Sequence, residues 1–352
     1  MSPFTKLQLL SLLILTTPLV CQGAEQDLKT VAKKGGSVWL LLEEKEEQIF
    51  DLGGQQVEVG KTTTRTLQIE VKDVDDKGNL VVDVKIARIQ GAMTVPSMTG
   101  IEEVEFDSAK KTEGEEEEDT GGMGISPGAV TKAMTVLAGK SYVAKVDAFG
   151  KVASLEGVAE LLKSSSQGLG GMGGGMMGAV TEAQLKQYVE SAFGTLPDKP
   201  LAHGATWDRV DEKKGMGASL QTKLQLTLAK VDAESFEITA TGTIATAAAK
   251  DGEKAAGAGE GADGEAAMRE MVKNVKVKNG KISGTQRVSR QDGFVIESSS
   301  STSMDVDRPG PMGGEMSISI KASQKTKRTT AEEAMPKPAP KPDKEAPKEA
   351  GK

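Results

Sequence analysis

The sequence predicts a mainly antiparallel β fold with a few amphipathic helices, and three observations lead to this α+β class. Apolar and polar residues alternate with a period of two in several segments, and turn residues join those segments in pairs. Three short stretches instead carry apolar residues at helical spacing. Because each strand has one apolar face, we expect a curved sheet or half-open barrel that wraps the helices. The alternatives are a two-sheet sandwich, or two small α+β lobes divided near residue 200.

The predicted strands come in hairpins, and the first hairpin shows the pattern. Leu67, Ile69 and Val71 alternate with polar residues, the turn 75–79 follows, and the alternation resumes at Leu80. This pattern predicts two antiparallel strands with one buried face. Three more hairpins are predicted around the turns 147–151, 232–235 and 290–293, and a last strand is predicted at Met316, Ile318 and Ile320.

Two of these hairpins resemble each other. LQIEVKDVDDKG from Leu67 aligns with LQLTLAKVDAES from Leu224, and a tryptophan precedes each one, Trp39 and Trp207. A duplication of the two halves explains this likeness. The other explanation is that any two antiparallel hairpins share such a pattern.

Three helices are predicted between the hairpins. Ser126 is a suitable N-cap, Pro127 suits the first helical position, and Gly139 suits the C-terminal stop. A second helix is predicted at residues 158–163. The third begins at Thr181 with a capping box, in which the first and fourth residues satisfy each other's free backbone N–H groups.

Low-complexity segments divide the chain. They contain too little apolar surface to offset the ordering cost of about 1–2 kcal/mol per residue, so we read them as inserts, linkers or tails. The predicted divisions are a signal peptide at 1–24, a β-rich half at 25–165, a Gly/Met-rich linker at 166–180, a helix plus β-rich half at 181–330 with a disordered insert at 247–267, and a disordered Pro/Lys/Glu tail at 331–352.

Residues 1–24 have the pattern of a secretory signal. Lys6 supplies the positive start, the apolar run from Leu7 to Leu15 follows, and Ala24 is small enough to precede the cut. The run is shorter than the roughly 20 residues of a membrane span. We therefore expect a periplasmic or secreted protein without a transmembrane span. A lipid anchor on Cys21 is the disfavoured alternative, because the bulky Val20 precedes this cysteine.

Composition excludes several function classes. A net charge of −7 argues against nucleic-acid binding, which needs a basic surface. One cysteine cannot form an intramolecular disulfide or a cysteine zinc site. The single histidine, His203, lies in a predicted loop beside Asp198 and Asp208, and we interpret it as a solvated loop residue. We therefore expect no enzymatic activity, no catalytic residue and no cofactor.

Two other chemistries stay open as alternatives. Met172, Met176 and Met177 offer thioethers that suit Cu(I), although no histidine supports such a site. A hydrolase could use carboxylates alone, because the sequence does not show their separation. The acidic run at 113–119 lacks the spacing of a calcium loop and is interpreted as a solvated linker.

The middle of the chain resembles an uncharacterised family of secreted bacterial proteins, known as a domain of unknown function. The resemblance lies in LAGKSYVAKVDAFGKVASLEGVAELL (137–162) and in LPDKPLAHGATWD (196–208). The first stretch holds Gly150-Lys151-Val152 with Gly157, and the second runs from Pro200 through Gly204 to Trp207. The family has no agreed activity, so the resemblance implies no catalytic residue. Residues of these types specify turns and packing, which favours a structural role for them.

The function expected from these observations is non-enzymatic binding outside the cytoplasm. A sheet with one apolar face, with helices beside it, could hold an apolar ligand or an envelope partner protein on its concave side.

Overall fold

The computed structural model describes residues 25–51, 56–97, 100–110, 127–167, 180–215, 218–247, 275–309 and 315–335, which form twelve strands and four helices. The strands are β1 (Ser37–Asp51), β2 (Gln56–Val74), β3 (Leu80–Ser97), β4 (Gly100–Asp107), β5 (Ser141–Val146), β6 (Val152–Glu156), β7 (Thr206–Gly215), β8 (Ala218–Val231), β9 (Ser235–Thr246), β10 (Lys276–Ser289), β11 (Val295–Pro309) and β12 (Glu315–Thr329). The helices are α1 (Pro127–Thr135), α2 (Ala159–Gln167), α3 (Glu182–Phe193) and α4 (Ala331–Ala334).

All twelve strands belong to one open antiparallel sheet, which confirms the predicted β-rich α+β class with a curved sheet. The order is β6-β5-β3-β2-β1-β12-β11-β10-β9-β8-β7, and β4 also pairs with β3. The first and last strands pair in the middle of this order, from Trp39 opposite Thr329 to Asp51 opposite Ser317. The stretches 25–165 and 181–330 are therefore two halves of one sheet and not two lobes.

The four predicted hairpins all form, as β2–β3, β5–β6, β8–β9 and β10–β11. Their alternation decides which face is buried. Leu67 and Ile69 of β2 and Val82 and Val84 of β3 are completely buried, whereas the residues between them are partly or fully exposed. We call the face that carries these residues the covered face, because the helices pack on it.

Helix α3 is the main element on the covered face. The predicted capping box forms, because Thr181 Oγ1 accepts from the N–H of Gln184 at 3.2 Å and Gln184 Oε1 accepts from the N–H of Thr181 at 2.9 Å. The helix ends at Gly194, whose φ of 83° suits glycine. Its buried residues are Leu185, Tyr188, Val189, Ala192 and Phe193.

Two further apolar clusters lie on strands of the C-terminal half. In the second cluster, Leu28 and Leu201 pack with residues of β8 to β11, and the segments that carry them are joined by backbone hydrogen bonds between Gln26 and Leu201. The third cluster lies where β1, β10, β11 and β12 come together at their far ends, and its buried members are Val275, Val306, Met316, Ile318 and Ile320.

Four elements were not among the sequence predictions, namely β1, β4, β7 and α4. Helix α4 begins behind a capping box of Thr330 and Glu333, and its buried Ala334 accepts a hydrogen bond from Thr66 Oγ1 at 3.4 Å. Residues 331–334, which the sequence prediction assigned to a disordered tail, are thus a short helix docked on the sheet.

Several predicted segments lie outside the described residues. They are the signal peptide at 1–24, the acidic run at 113–119, most of the Gly/Met-rich linker (168–179), the insert from 248 to 267 and the tail from 336 to 352.

The two similar hairpins belong to two three-stranded meanders, β1-β2-β3 and β7-β8-β9. Trp39 lies opposite Gln68, next to the buried pair of Leu40 and Leu67, so it is on the face opposite to the covered one. Trp207 lies opposite the buried Leu226 and is on the covered face. The tryptophans therefore occupy different faces, and duplication stays a hypothesis.

A bidentate ion pair joins β3 to β4, and it leads to a prediction about how the stability of the protein depends on pH. Arg88 donates from Nε and Nη2 to the two carboxylate oxygens of Asp107 at 3.0 and 2.7 Å, and these bonds lower the pKa of Asp107. A lowered folded pKa stabilises the protein above the unfolded value of about 4, and this contribution is lost as pH falls through the folded pKa. When the pH falls from 7 to 3, we expect the Arg88→Met variant to lose less unfolding free energy than the unsubstituted protein does. Urea titrations at both pH values measure the two losses.

The exposed pair of Lys145 and Glu156 supplies the control for this experiment. Because solvent screens it, Lys145→Met should leave the acid dependence unchanged. An identical acid dependence in the Arg88 variant and the unsubstituted protein would contradict the assignment.

Candidate functional site

The strand register lines up one residue per strand in rows across the covered face, because directly opposed residues of antiparallel strands point to the same side. Two rows matter here. The first row runs through Lys61, Glu46, Ala322, Thr302, Ile282, Gly242 and Leu224, from β2 to β8. The second row runs parallel to it through Thr63, Glu44, Gln324, Ser300, Gly284, Ala240 and Leu226.

Small residues occupy most of the middle of both rows, with Ile282 between Thr302 and Gly242 as the large exception. We call them the belt, and its members are Ala322, Thr302, Gly242, Ser300, Gly284 and Ala240. All six are only partly buried. Along the strands, larger side chains follow on either side: Ile238 belongs to the second cluster, and Met304 and Ile320 belong to the third. The belt is therefore a low strip between two apolar clusters.

Glycine is required at one position of the belt for a packing reason. A Cβ added at Gly242 would lie 2.1 Å from the carbonyl oxygen of Lys223 on β8, which is a severe backbone clash. A Cβ at Gly280 would lie 2.1 Å from the carbonyl oxygen of Ile244 on β9. Neighbouring backbones approach closely at both positions, as happens where a sheet bends.

The helix layer reaches the second row of residues. Gln187 of α3 donates from Nε2 to Oε1 of Gln324 at 2.8 Å, and the N–H of Thr195 donates to Oε1 of Gln286 at 3.1 Å. Gln324 belongs to the second row, and Gln286 lies one further row toward the second cluster. Polar groups of α3 and of the segment after it therefore lie along one side of the belt.

The β2 end of the rows is polar and charged. The side chain of Arg65 is only 7% exposed, forms an ion pair with Glu44, and lies with its guanidinium carbon 5.0 Å from the centre of the Tyr188 ring. Burial raises the pKa of Tyr188 to about 12, so this ring stays neutral beneath the cation. The arrangement is a buried cation satisfied by one carboxylate and one aromatic face.

Lys61 lies two residues before Thr63 on the same face and is partly buried. Burial, with the charge of Arg65 as the next cause, lowers the pKa of the Lys61 ammonium group. The opposite residue, Glu46, accepts a hydrogen bond from Gln48 Nε2 at 2.6 Å. Within the described part of the chain, no carboxylate oxygen lies within 4.0 Å of the Lys61 ammonium group, whereas Arg65 has its own partner.

Thr63 lies between these two cations and is completely buried. Its hydroxyl has no hydrogen-bond partner among the described residues. Thr326, on β12 in the row of Arg65, also has a buried hydroxyl without a described partner. Such groups are uncommon, because a buried polar atom without a partner costs free energy.

The described structure places none of the sequence-derived candidates in this site. Met172, Met176 and Met177 lie outside the described residues. His203 is exposed, and its Nε2 lies 2.9 Å from the carbonyl oxygen of Ala229. In the ranges that the structure describes, no three His, Cys, Asp or Glu side chains gather as a metal site would need.

Sequence reasoning missed Lys61, Thr63 and Arg65, although a signal was present. Extending the alternation of Leu67 and Ile69 backwards along β2 places all three residues on the apolar face. The prediction followed apolar residues only and therefore stopped at Leu67. The informative pattern was a run of polar residues at the same alternate positions as the buried apolar residues that follow on the strand.

The opposite face of the sheet also has a groove, with a volume of about 310 Å³. It is polar: Arg287 and Glu297 form an ion pair at 3.1 Å there, and the hydroxyls of Thr285 and Ser299 lie 3.1 Å apart. Such a lining suits water and ions better than an apolar ligand. Across the described helices, none combines the length and apolar character that a membrane span requires.

Comparison with known proteins gives a family but little else. A model described as a family of unknown function (DUF6263) matches residues 77–295, which include both stretches on which the resemblance was based. A search of curated proteins found no match.

Three solved structures show a partial likeness. A structure of lipid–protein interactions in lipovitellin has a TM-score of 0.40 and 10% identity, and covers 84% of this chain but 25% of its own. A DUF1329 family protein from Desulfovibrio piger has a TM-score of 0.16 and 8% identity, covering 84% and 87%. An outer membrane lipoprotein-sorting protein domain from Vibrio parahaemolyticus has a TM-score of 0.13 and 7% identity, covering 83% and 86%. The chain spans a quarter of the lipovitellin chain, and scores this low transfer neither fold nor function.

Proposed function

The chain belongs to the DUF6263 family of unknown function, and from this premise we propose that it is a non-enzymatic extracytoplasmic protein that binds an apolar ligand on the belt. The observation that carries the proposal is the half-buried apolar surface of β8 to β10 on the covered face. Besides the belt, this surface comprises Leu220, Leu224, Ile244 and Ile282.

The chemistry of this surface supports binding. Aliphatic side chains and glycines form most of its lining, the hydroxyls of Thr302 and Ser300 are its polar groups, and these residues include no acid–base group. Covering apolar surface is favourable by roughly 25 cal/mol for each Å² removed from water. A flexible hydrocarbon chain matches a low, narrow strip better than a compact ligand does.

The location is supported by the sequence at the N-terminus. Residues 1–24 carry the charge, apolar run and small residues of a secretory signal. The alternatives of a carboxylate hydrolase and of Cu(I) binding gain no support from a described contact.

A pair of neighbouring residues on β10 gives the test. Ile282 points to the belt, and the next residue, Ser283, is exposed on the opposite face. Ile282→Gln places a polar amide against the ligand, so we expect at least a tenfold weaker affinity for a fluorescent fatty-acid methyl ester. This loss corresponds to about 1.4 kcal/mol. The measurement is a fluorescence titration of delipidated mature protein.

Ser283→Gln is the matched control, because it adds the same amide to the same strand on the other face. We expect it to bind the ester as the unsubstituted protein does. Equal weakening by both substitutions, or no saturable binding by the unsubstituted protein, would overturn the proposal. Circular dichroism of each variant verifies that the sheet is intact.

A further inference from the structure

One end of the first row differs chemically from the rest. Lys61 has a partly buried ammonium group, and the carboxylate opposite it, on Glu46, is held by Gln48 at 2.6 Å. Two carboxylates of β1 lie on the covered face near Lys61: Glu44 forms an ion pair with Arg65, and Glu46 accepts a hydrogen bond from Gln48. Both carboxylates favour the charge on Lys61 from a distance, but no described carboxylate oxygen lies within 4.0 Å of its ammonium group, so a bound anion could approach this partly buried cation more closely than they do.

A second observation at the same place is independent of charge. The Thr63 hydroxyl is fully buried, has no described hydrogen-bond partner, and shares the covered face with Lys61 two residues away. Residues i and i+2 on a strand lie about 7 Å apart. The hydroxyl is covered in the described structure, so binding requires the side chains over it to shift. An oxyanion can then accept from the ammonium group and from the hydroxyl together, and charge-assisted hydrogen bonds of this kind are strong.

The distance from Lys61 to the far part of the belt sets the length of a ligand that reaches both. Lys61 on β2 and Ile282 on β10 belong to the same row and are separated by four strand spacings, or about 19 Å. The residues between them are Glu46, Ala322 and Thr302, and the last two have small, partly buried side chains. The distance is that of a long hydrocarbon chain laid across the strands.

We propose that Lys61 and Thr63 bind the anionic headgroup of a single-chain amphiphile, a carboxylate or a phosphate, whose hydrocarbon chain lies along the belt. This proposal rests on the proposed function, since it assumes that the belt holds the chain. It adds the polarity of the ligand and its direction, with the headgroup at β2 and the chain pointing to β8.

The experiment compares a fluorescent long-chain fatty acid with its uncharged methyl ester on delipidated mature protein. We expect the unsubstituted protein to bind the acid at least tenfold more tightly than the ester. Lys61→Met keeps the aliphatic stem and removes the charge, so the preference should fall below threefold while the ester affinity is unchanged. Lys61→Arg keeps the charge and should keep most of the preference.

Lys72→Met is the control, because Lys72 lies on the same strand but is exposed on the opposite face beside Glu70. It should leave the preference for the acid intact. Ester binding without any preference for the acid would overturn the headgroup site and leave the proposed function standing. Absence of binding by both probes would overturn the proposed function itself.

Competition distinguishes the two headgroups and the free ion. A lysophospholipid with a terminal phosphate that displaces the fatty acid more strongly than an equal-length fatty acid does would assign the site to phosphate, and the reverse order would assign it to carboxylate. Displacement by inorganic phosphate at the same concentrations would show a free-anion site and contradict the amphiphile. Thermal melting of every variant verifies that the fold is retained.

Discussion

Phe193→Ala is expected to lower the free energy of unfolding by about 3–5 kcal/mol, the range for truncating a fully buried aromatic side chain. Phe193 is completely buried at the end of α3, and its ring centre lies 5.2 Å from that of Phe294. Phe294 directly precedes β11, so this contact joins the helix layer to the C-terminal half of the sheet. Urea unfolding followed by far-ultraviolet circular dichroism measures the loss.

Val210 offers a surface comparison for this experiment, since it is 57% exposed on β7. Val210→Ala should change the unfolding free energy by no more than about 0.5 kcal/mol. A loss below 1 kcal/mol for Phe193→Ala would mean that α3 is not packed on the sheet as described.

Glu44→Ala is expected to lower the unfolding free energy by about 3 kcal/mol, because it leaves the buried guanidinium of Arg65 without its carboxylate. Adding Arg65→Met to this variant should restore most of the loss, since an aliphatic side chain at a buried position needs no counterion. A double-mutant cycle with the two single variants isolates the interaction between the residues. Chemical denaturation at pH 7 is a suitable measurement.

The exposed ion pair of Lys34 and Asp73 is the matched comparison. Its disruption by Asp73→Ala should cost no more than about 1 kcal/mol, since solvent screens the charges. If Glu44→Ala costs equally little, or if Arg65→Met gives no recovery, the pair is not a buried structural contact.

The hairpins and helices could be predicted because their signals are local. The alternation of Leu67, Ile69 and Val71 sets the buried face of β2, and the short turn after Val74 brings β3 beside it. The capping box at Thr181 likewise depends on four consecutive residues. Each of these features is decided within about twenty residues of chain, and each one forms as predicted.

The centre of the sheet could not be predicted in the same way. Strands β1 and β12 pair across nearly the whole described chain, and nothing local in Trp39 or Thr329 specifies the other. Strand β4 was missed because its first half, including the exposed Ile101, lacks the buried alternation that Val104 and Phe106 show.

The candidate site depends on both kinds of information. The alternation along β2 already places Lys61 and Thr63 on the apolar face. Their relation to Ile282 appears only when the strand order is known, because four strand pairings separate them. A site assembled in rows across strands is not visible in any single segment of sequence.

The pairing of β1 with β12 has a consequence for how the molecule forms. During synthesis, β1 emerges early, and one of its edges waits with unpaired N–H and C=O groups until nearly the whole chain is present. This late pairing of distant strands slows folding. Until it occurs, the unpaired edge of β1 can pair with other chains and promote aggregation. A nascent chain that stops before β12 leaves two strands, β1 and β11, each with an unpaired edge.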